Sequence, residues 1–371
     1  MFKNICITAL LAMIISGCAF HKSHMEQNRL NEMIGQMVMV GFRGMEAAPD
    51  SLIAKDIRNS GIGGVILFNK DCALNSTVRN ISDHNQLKQL TASLQSYSRT
   101  PLFVAVDQEG GIICRLTAEM GFEHTPSAAE LGNSGDLKAS YNAGQITGQT
   151  LKSVGINMNF APVVDVNSNA ANPVIAGLQR SFSDDPAIVA AFAESFIDGL
   201  HSRGIISSLK HFPGHGSSVG DSHKGFTDVT DTWSAQELYP FKKIISDGRA
   251  DMVMTAHIYN KNLDRRYPAT LSRKVINGFL RRKLGFEGVI VTDDMQMGAV
   301  SGQYGFKDSI LMAVKAGADI LLLGNNLSYE PELGTKAVNT IKQLVREHRI
   351  TERRIEQSYS RIMKLKGQRL Y

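Results

Sequence analysis

The chain has 371 residues, 43% of them hydrophobic, with 40 Lys and Arg against 35 Asp and Glu and a formal net charge of +5. That apolar fraction supplies a large core, and α/β barrels routinely take this length as one domain. The small positive excess is spread along the chain without a basic block, which argues against a nucleic-acid partner.

At the N-terminus, Met1-Phe2-Lys3-Asn4, an apolar run from Ile5 to Ile15 and then Ser16-Gly17-Cys18 have the form of a secretory signal over residues 1–17. The run is too short to span a bilayer, which takes about 20 apolar residues. Ile15-Ser16-Gly17-Cys18 resembles a bacterial lipobox, in which cleavage leaves Cys18 as a lipidated N-terminus; an ordinary leader with an incidental cysteine is the other reading. Lipidation implies an exported protein anchored to the membrane on the periplasmic side, tethered by residues 18–30, whose polar residues from 19 on read as a tether or the start of a helix. Ala19, where an aspartate would mark inner-membrane retention, favours the outer membrane. Cys6 leaves with the leader. Cys72 and Cys114, each just past an expected strand, either pair in an oxidising compartment or remain free.

Beyond the tether, short β-like runs alternate with amphipathic stretches. The expected strands are Met37 to Phe42, Gly64 to Phe68, Leu102 to Asp107, Asn157 to Asp165, Ile205 to Lys210, Met252 to His257, Gly288 to Asp293 and Asp319 to Leu323. Leu87, Leu90, Leu94 and Tyr97, and likewise Phe192, Phe196 and Leu200, recur at helical spacing. Asp185-Pro186 reads as a cap with a first-turn proline, and Ser234-Ala235-Gln236-Glu237 as a capping box. Thr351 to Lys366 reads as a last helix with Ile355, Tyr359, Ile362 and Leu365 inward, and no second domain is expected after it. Eight strands separated by helices predict an α/β fold, a closed (β/α)8 TIM-type barrel over residues 31–371. An open doubly wound sheet is the competitor, although no Gly-rich phosphate fingerprint follows the first strand. Nothing in the sequence demands more than a monomer.

Polar residues recur where the strands end: Asp107, Asp165, Lys210-His211, His257 and Asp293-Asp294. In a barrel these ends converge on one mouth, where barrel active sites sit. The densest stretch is Lys210-His211-Phe212-Pro213-Gly214-His215-Gly216, followed by Asp221-Ser222-His223. Adjacent side chains on an extended strand point apart, so Asp293 is expected to face the mouth and Asp294 to serve structure. Asp221 can hold one imidazole nitrogen of His223 while the other faces a substrate. His211, His215 and His223 with Asp221 could instead bind zinc, but Pro213 and Gly214 interrupt the His-x-x-x-His interval that a helix would need, so no metal is expected.

These blocks resemble glycoside hydrolase family 3, in its β-N-acetylglucosaminidase branch. The resemblance also includes Val106-Asp107-Gln108-Glu109-Gly110-Gly111 with Arg115, Asn159 to Val166, Arg180-Ser181-Phe182-Ser183-Asp184-Asp185-Pro186, Met254-Thr255-Ala256-His257 and Val291-Thr292-Asp293-Asp294-Met295. It implies a retaining exo-glycosidase without a cofactor, acting on a carbohydrate. Asp293 would be the nucleophile and His223, oriented by Asp221, the acid/base. Asp107, Arg115, Arg180, Lys210 and His211 would hold sugar hydroxyls. The implied substrate carries terminal β-GlcNAc, on a peptidoglycan fragment or a chito-oligosaccharide. A β-glucosidase or a GlcNAc phosphorylase of the same family is the alternative within it, and a non-catalytic cell-wall-binding lipoprotein the alternative outside it. Lys224-Gly225-Phe226-Thr227 departs from the proline-containing stretch of many relatives, on the leaving-group side.

Overall fold

The computed structural model describes residues 26–371, so the leader, Cys18 and the first part of the tether lie outside the described residues. Residues 26–36 are helical, so a helix begins within the last part of the stretch expected as a tether or a helix start. All eight expected strands form: β1 (Val38–Gly41), β2 (Gly64–Ile66), β3 (Phe103–Val106), β4 (Met158–Asn159), β5 (Ile206–Phe212), β6 (Met252–Thr255), β7 (Val289–Thr292) and β8 (Leu321–Leu323).

Neighbours in sequence are neighbours in the sheet, and every pair is parallel. β8 pairs with β1 through Val38 and Leu321, and a parallel bridge between Val291 and Ile320 joins β7 to β8. Four backbone bonds run along that seam: Asp319 N–H to Ile290 O at 2.7 Å, and Ile320 N–H to Ile290 O, Thr292 N–H to Ile320 O and Met295 N–H to Leu322 O, each at 3.0 Å. The sheet therefore closes, and the open doubly wound alternative falls. Strands buried on both faces, inside by the barrel and outside by helices, read as continuous apolar runs, as these do.

The helices wrap the outside as their spacing predicts. Asp83 caps His84–Ser96, which buries Leu87, Leu90 and Leu94. Asp185 accepts from Ala187 N–H at 2.7 Å to cap Pro186–His201. That helix packs on Leu137–Ser153 at a separation only glycine allows: a Cβ on Gly144 would lie 2.2 Å from Phe196 O, and one on Gly199 2.3 Å from Tyr141 O. The last helix, Glu352–Arg369, buries Ile355, Ile362 and Leu365, with Tyr359 half-buried against the same core.

Two local expectations fail. The run Asn157 to Asp165 keeps strand pairing only at Met158–Asn159 and resumes as a single bridge from Val163 to Lys210, because Pro162 has no N–H to give a ladder. Ser234 makes no side-chain cap, and Ala235–Leu238 is a 3-10 turn before the helix Tyr239–Ser246. The carboxylate of Glu237 turns instead to the loop after β5, where Oε2 accepts from Gly216 N–H at 3.0 Å.

Candidate active site

Every strand points its C-terminal end to the same side, so the residues after β3, β4, β5, β6 and β7 share one mouth. Asp107 and Glu109 follow β3 two positions apart, a spacing that puts both on one face. Lys210, near the end of β5, reaches both: its Nζ lies 2.8 Å from Asp107 Oδ1 and 2.6 Å from Glu109 Oε1. Arg180 clamps Glu109 with two parallel bonds of 2.8 Å, from Nε to Oε2 and from Nη2 to Oε1. Arg115 Nη2 lies 3.4 Å from Asp107 Oδ2. Burial works to raise the pKa of both carboxyls, but the surrounding cations outweigh it and hold both below the usual range. A buried charge is tolerable only when paired, and here the cations and anions interlock.

His211 is fixed from below. Asp165, fully buried, accepts from His211 N–H at 3.1 Å and lies 2.6 Å from His211 Nδ1. A carboxylate can only accept, so Nδ1 carries the proton and Nε2, 3.3 Å from Arg180 Nη2, is the acceptor. The same Asp165 accepts from His215 N–H at 2.8 Å.

Asp293 follows β7. Its N–H donates to Thr255 O at 3.1 Å, and its Oδ1 accepts from Asp294 N–H at 2.8 Å. Burial works to raise its pKa, yet His257, His211 and His223 together bring it down to about 2. Asp294 is tied to backbone, accepting from Gly324 N–H at 2.8 Å and Gln296 N–H at 3.1 Å, and burial raises it to about 6. Two adjacent carboxyls are thus split by environment, one an anion and one a structural acceptor. His257 is buried, which lowers its pKa. Its Nε2 donates to Asp294 O at 2.9 Å and its Nδ1 lies 2.9 Å from Thr270 Oγ1, whose hydroxyl donates to Ala256 O at 2.8 Å.

The loop after β5 brings the remaining pair. Asp221 Oδ1 lies 2.8 Å from His223 Nδ1 and accepts from His223 N–H at 3.0 Å, so Nε2 is left outward on a side chain 51% exposed. His223, Asp107, Arg115, Phe160, Met254 and Asp294 line a cavity of about 230 Å³. A larger hollow, about 960 Å³, lies at the opposite end of the barrel between Arg29, Gln36, Arg58 and Arg99. Among the described residues that line it, Glu32 is the one acid beside Arg29, Arg58, Arg99 and Lys342, and there is no histidine, so the smaller cavity is the one with chemistry.

The structure therefore brings together Asp107, Arg115, Arg180, Lys210, His211, Asp221, His223 and Asp293 around one mouth. Glu109, Asp165 and His257 belong with them. Glu109 was not among the expected site residues, although its i, i+2 relation to Asp107 could have marked it; Asp165 and His257 stand at strand ends, but only the packing shows whom they serve. His215 points elsewhere, with both ring nitrogens facing serines: Nδ1 lies 2.9 Å from Ser218 Oγ and Nε2 3.1 Å from Ser222 Oγ. Among the described residues, no group of His, Cys, Asp and Glu side chains is arranged to hold a metal ion. Cys72 is exposed and Cys114 buried, and both are free.

The chain is similar to β-hexosaminidase A of Pseudoalteromonas piscicida, 34% identical across 91% of this chain and 60% of that protein. It is 35% identical to a β-hexosaminidase of Tolumonas auensis, across 78% and 83% of the two chains. Among solved structures, a glycoside hydrolase family 3 β-N-acetylglucosaminidase from a Paenibacillus species superposes with a TM-score of 0.84 at 37% identity, covering 92% of this chain and 62% of that one. The chain thus spans about three-fifths of two of these relatives. Residues 29–365 match the model of the glycosyl hydrolase family 3 N terminal domain, and with the closed barrel and the residues at its mouth this establishes that the chain belongs to glycosyl hydrolase family 3.

Proposed function

We propose that this chain is a retaining exo-β-N-acetylglucosaminidase that releases terminal GlcNAc through a covalent glycosyl-aspartate. The observation that carries the reading is Asp293: a carboxyl on a rigid strand end, held ionised by three imidazoles, in a mouth that also holds the Asp221–His223 pair. An anion among neutral or cationic groups is poised to attack an anomeric carbon. His223 Nε2 protonates the leaving oxygen as the glycosyl ester forms, and then takes a proton from the water that hydrolyses the ester. Asp221 holds the Nδ1 proton throughout, so the catalytic nitrogen is always the outward one.

Lys210, Arg115, Arg180, His211, Asp107 and Glu109 present fixed donors and acceptors suited to the hydroxyls of one sugar. A missing or inverted hydroxyl would strand a buried polar group, so the clamp selects stereochemistry. The cavity, about 230 Å³, is smaller than the roughly 300 Å³ at which ordinary ligand clefts begin, which suits a single terminal residue and hence exo action. The relatives named for β-hexosaminidase activity support the acetamido sugar. The leaving group is the remainder of a chito-oligosaccharide or peptidoglycan fragment.

The test is parallel assay of p-nitrophenyl β-GlcNAc and p-nitrophenyl β-glucoside, with Asp293→Asn as control. We expect GlcNAc turnover only, reduced at least about 10³-fold in Asp293→Asn, with a glycosyl adduct on Asp293 in quenched wild-type protein. Glucoside turnover would overturn the sugar assignment. Equal activity in Asp293→Asn would overturn the nucleophile. GlcNAc-1-phosphate as the product in phosphate buffer would replace hydrolysis by phosphorolysis.

A further inference from the structure

The loop that carries His223 is fastened on two sides, and neither fastening touches the cavity chemistry directly. On one side Ser222, buried between Asp221 and His223, has its hydroxyl 3.1 Å from His215 Nε2. His215 is buried as well and firmly held: its N–H donates to Asp165, its Nδ1 meets Ser218, and its carbonyl accepts from Asn172 Nδ2 at 2.8 Å. On the other side the seam is backbone. Gly298 N–H donates to His223 O at 3.1 Å and Ala299 N–H donates to Ser222 O at 3.3 Å. Gly298 lies on the segment that runs on from Asp293, so the loop of one group is hydrogen-bonded to the chain of the other. A Cβ on Gly298 would stand 3.0 Å from His223 O and 3.0 Å from Lys224 C, tighter than packed atoms ordinarily tolerate.

We propose that Ser222 and Gly298 are positioning residues that set the separation of His223 from Asp293, Ser222 through the buried His215 and Gly298 through its bond to the His223 carbonyl. The proposal rests on the acid/base and nucleophile assignments above. Proton transfer demands hydrogen-bond reach to the leaving oxygen. His223 is half-exposed and has one side-chain tie of its own, to Asp221, which is also in the loop. That tie orients the ring but cannot locate the loop. The root of the loop does not depend on Ser222: Gly216 N–H is held by Glu237, and Gly216 packs so closely on Val166 that a Cβ would meet its carbonyl at 1.7 Å. Removing the Ser222 hydroxyl therefore takes away one of the two fastenings of the catalytic turn while leaving the root in place.

A leaving group that departs unprotonated does not need the acid. The experiment measures kcat/KM of wild type, Ser222→Ala, Ser222→Thr, Gly298→Ala and His223→Ala on dinitrophenyl β-GlcNAc and on N,N′-diacetylchitobiose. We expect Ser222→Ala and Gly298→Ala to lose about 10- to 100-fold on the disaccharide and less than about threefold on the dinitrophenyl substrate, with Ser222→Thr restoring most of the loss. Equal losses on both substrates, no loss on the disaccharide, or a threonine variant no better than alanine would overturn the proposal while leaving the activity intact. A wild type silent on both substrates, or a His223→Ala variant with equal losses, overturns the underlying assignment and this proposal with it. Should Gly298→Ala fail to fold, the Ser222 pair decides alone.

Discussion

Glu109 is the side chain on which the cationic half of the mouth turns, since it binds both Lys210 and Arg180 and has almost no contact with water. Glu109→Gln keeps the shape and removes the charge, leaving Lys210 with Asp107 at 2.8 Å and Arg180 without its carboxylate clamp. Breaking a buried pair in this way costs roughly 3–5 kcal/mol. We expect a lowered midpoint in thermal unfolding and a raised KM for any GlcNAc substrate, with the loss in kcat the smaller of the two. A variant as stable as wild type would show that solvent reaches this cluster. The i, i+2 spacing of Asp107 and Glu109 announces a shared face, but their partners come from positions 180 and 210, which no local pattern connects to them.

Among the elements, the last helix closes the barrel floor with an unusual plug. Lys366 is fully buried, and its Nζ donates to Gln36 Oε1 at 2.6 Å and Gly63 O at 3.0 Å, over the Phe103 ring. A neutral amine has two N–H groups, which match those two acceptors, and no carboxylate is among its hydrogen-bond partners. Burial lowers its pKa from 10.5 to about 7. A depressed amine pKa confers stability that is complete above about pH 10.5 and is lost as pH falls toward 7, with a slope of at most about 1.4 kcal/mol per pH unit. Lys366→Met should therefore gain most over wild type near pH 7, and its advantage in unfolding midpoint should shrink toward pH 10. A difference that does not change with pH would mean the amine stays charged when buried. The helix Tyr239–Ser246 shows how local signals are overruled: Ser234 and Glu237 have capping-box spacing, yet Glu237 bonds Gly216 because burial at the loop root leaves that N–H without another partner.

The closed barrel also depends on a clasp at its seam. Asp319, at zero exposure just before β8, accepts from Ile290 N–H at 3.0 Å, from Arg281 Nη2 at 2.5 Å and from Ser358 Oγ–H at 2.8 Å, and lies 3.3 Å from Arg361 Nη1. It links β7, β8, the segment Lys274–Lys283 and the last helix. Asp319→Asn should destabilise the whole molecule by about 3–5 kcal/mol, read as a shift of a single cooperative transition, because two or more arginines lose their counter-charge together. Loss of one helix in isolation would contradict this. If Cys18 carries a lipid, as the lipobox resemblance implies, Cys18→Ser should move the protein from the membrane fraction to the soluble fraction and abolish labelling by palmitate; unchanged fractionation would dismiss the lipid anchor.

The alternation of eight apolar runs with amphipathic stretches determined the strands and their order, because a strand buried on both faces and a helix buried on one leave different periods in the sequence. Strand-end chemistry likewise marked Asp107, Lys210-His211 and Asp293, since in a parallel barrel those ends can face only one way. Closure was decided by the tertiary structure, through the bridge between Val291 and Ile320, as were the partners of Glu109, the service of Asp165 to both His211 and His215, and the diversion of Glu237. These depend on groups far apart in the chain satisfying one another away from water, and such pairing leaves no period to read. The division of labour between Asp293 and Asp294 lies between the two. Strand geometry required that they point apart, while the imidazoles around one and the backbone N–H groups around the other, brought there by different strands, decided which is held as the anion.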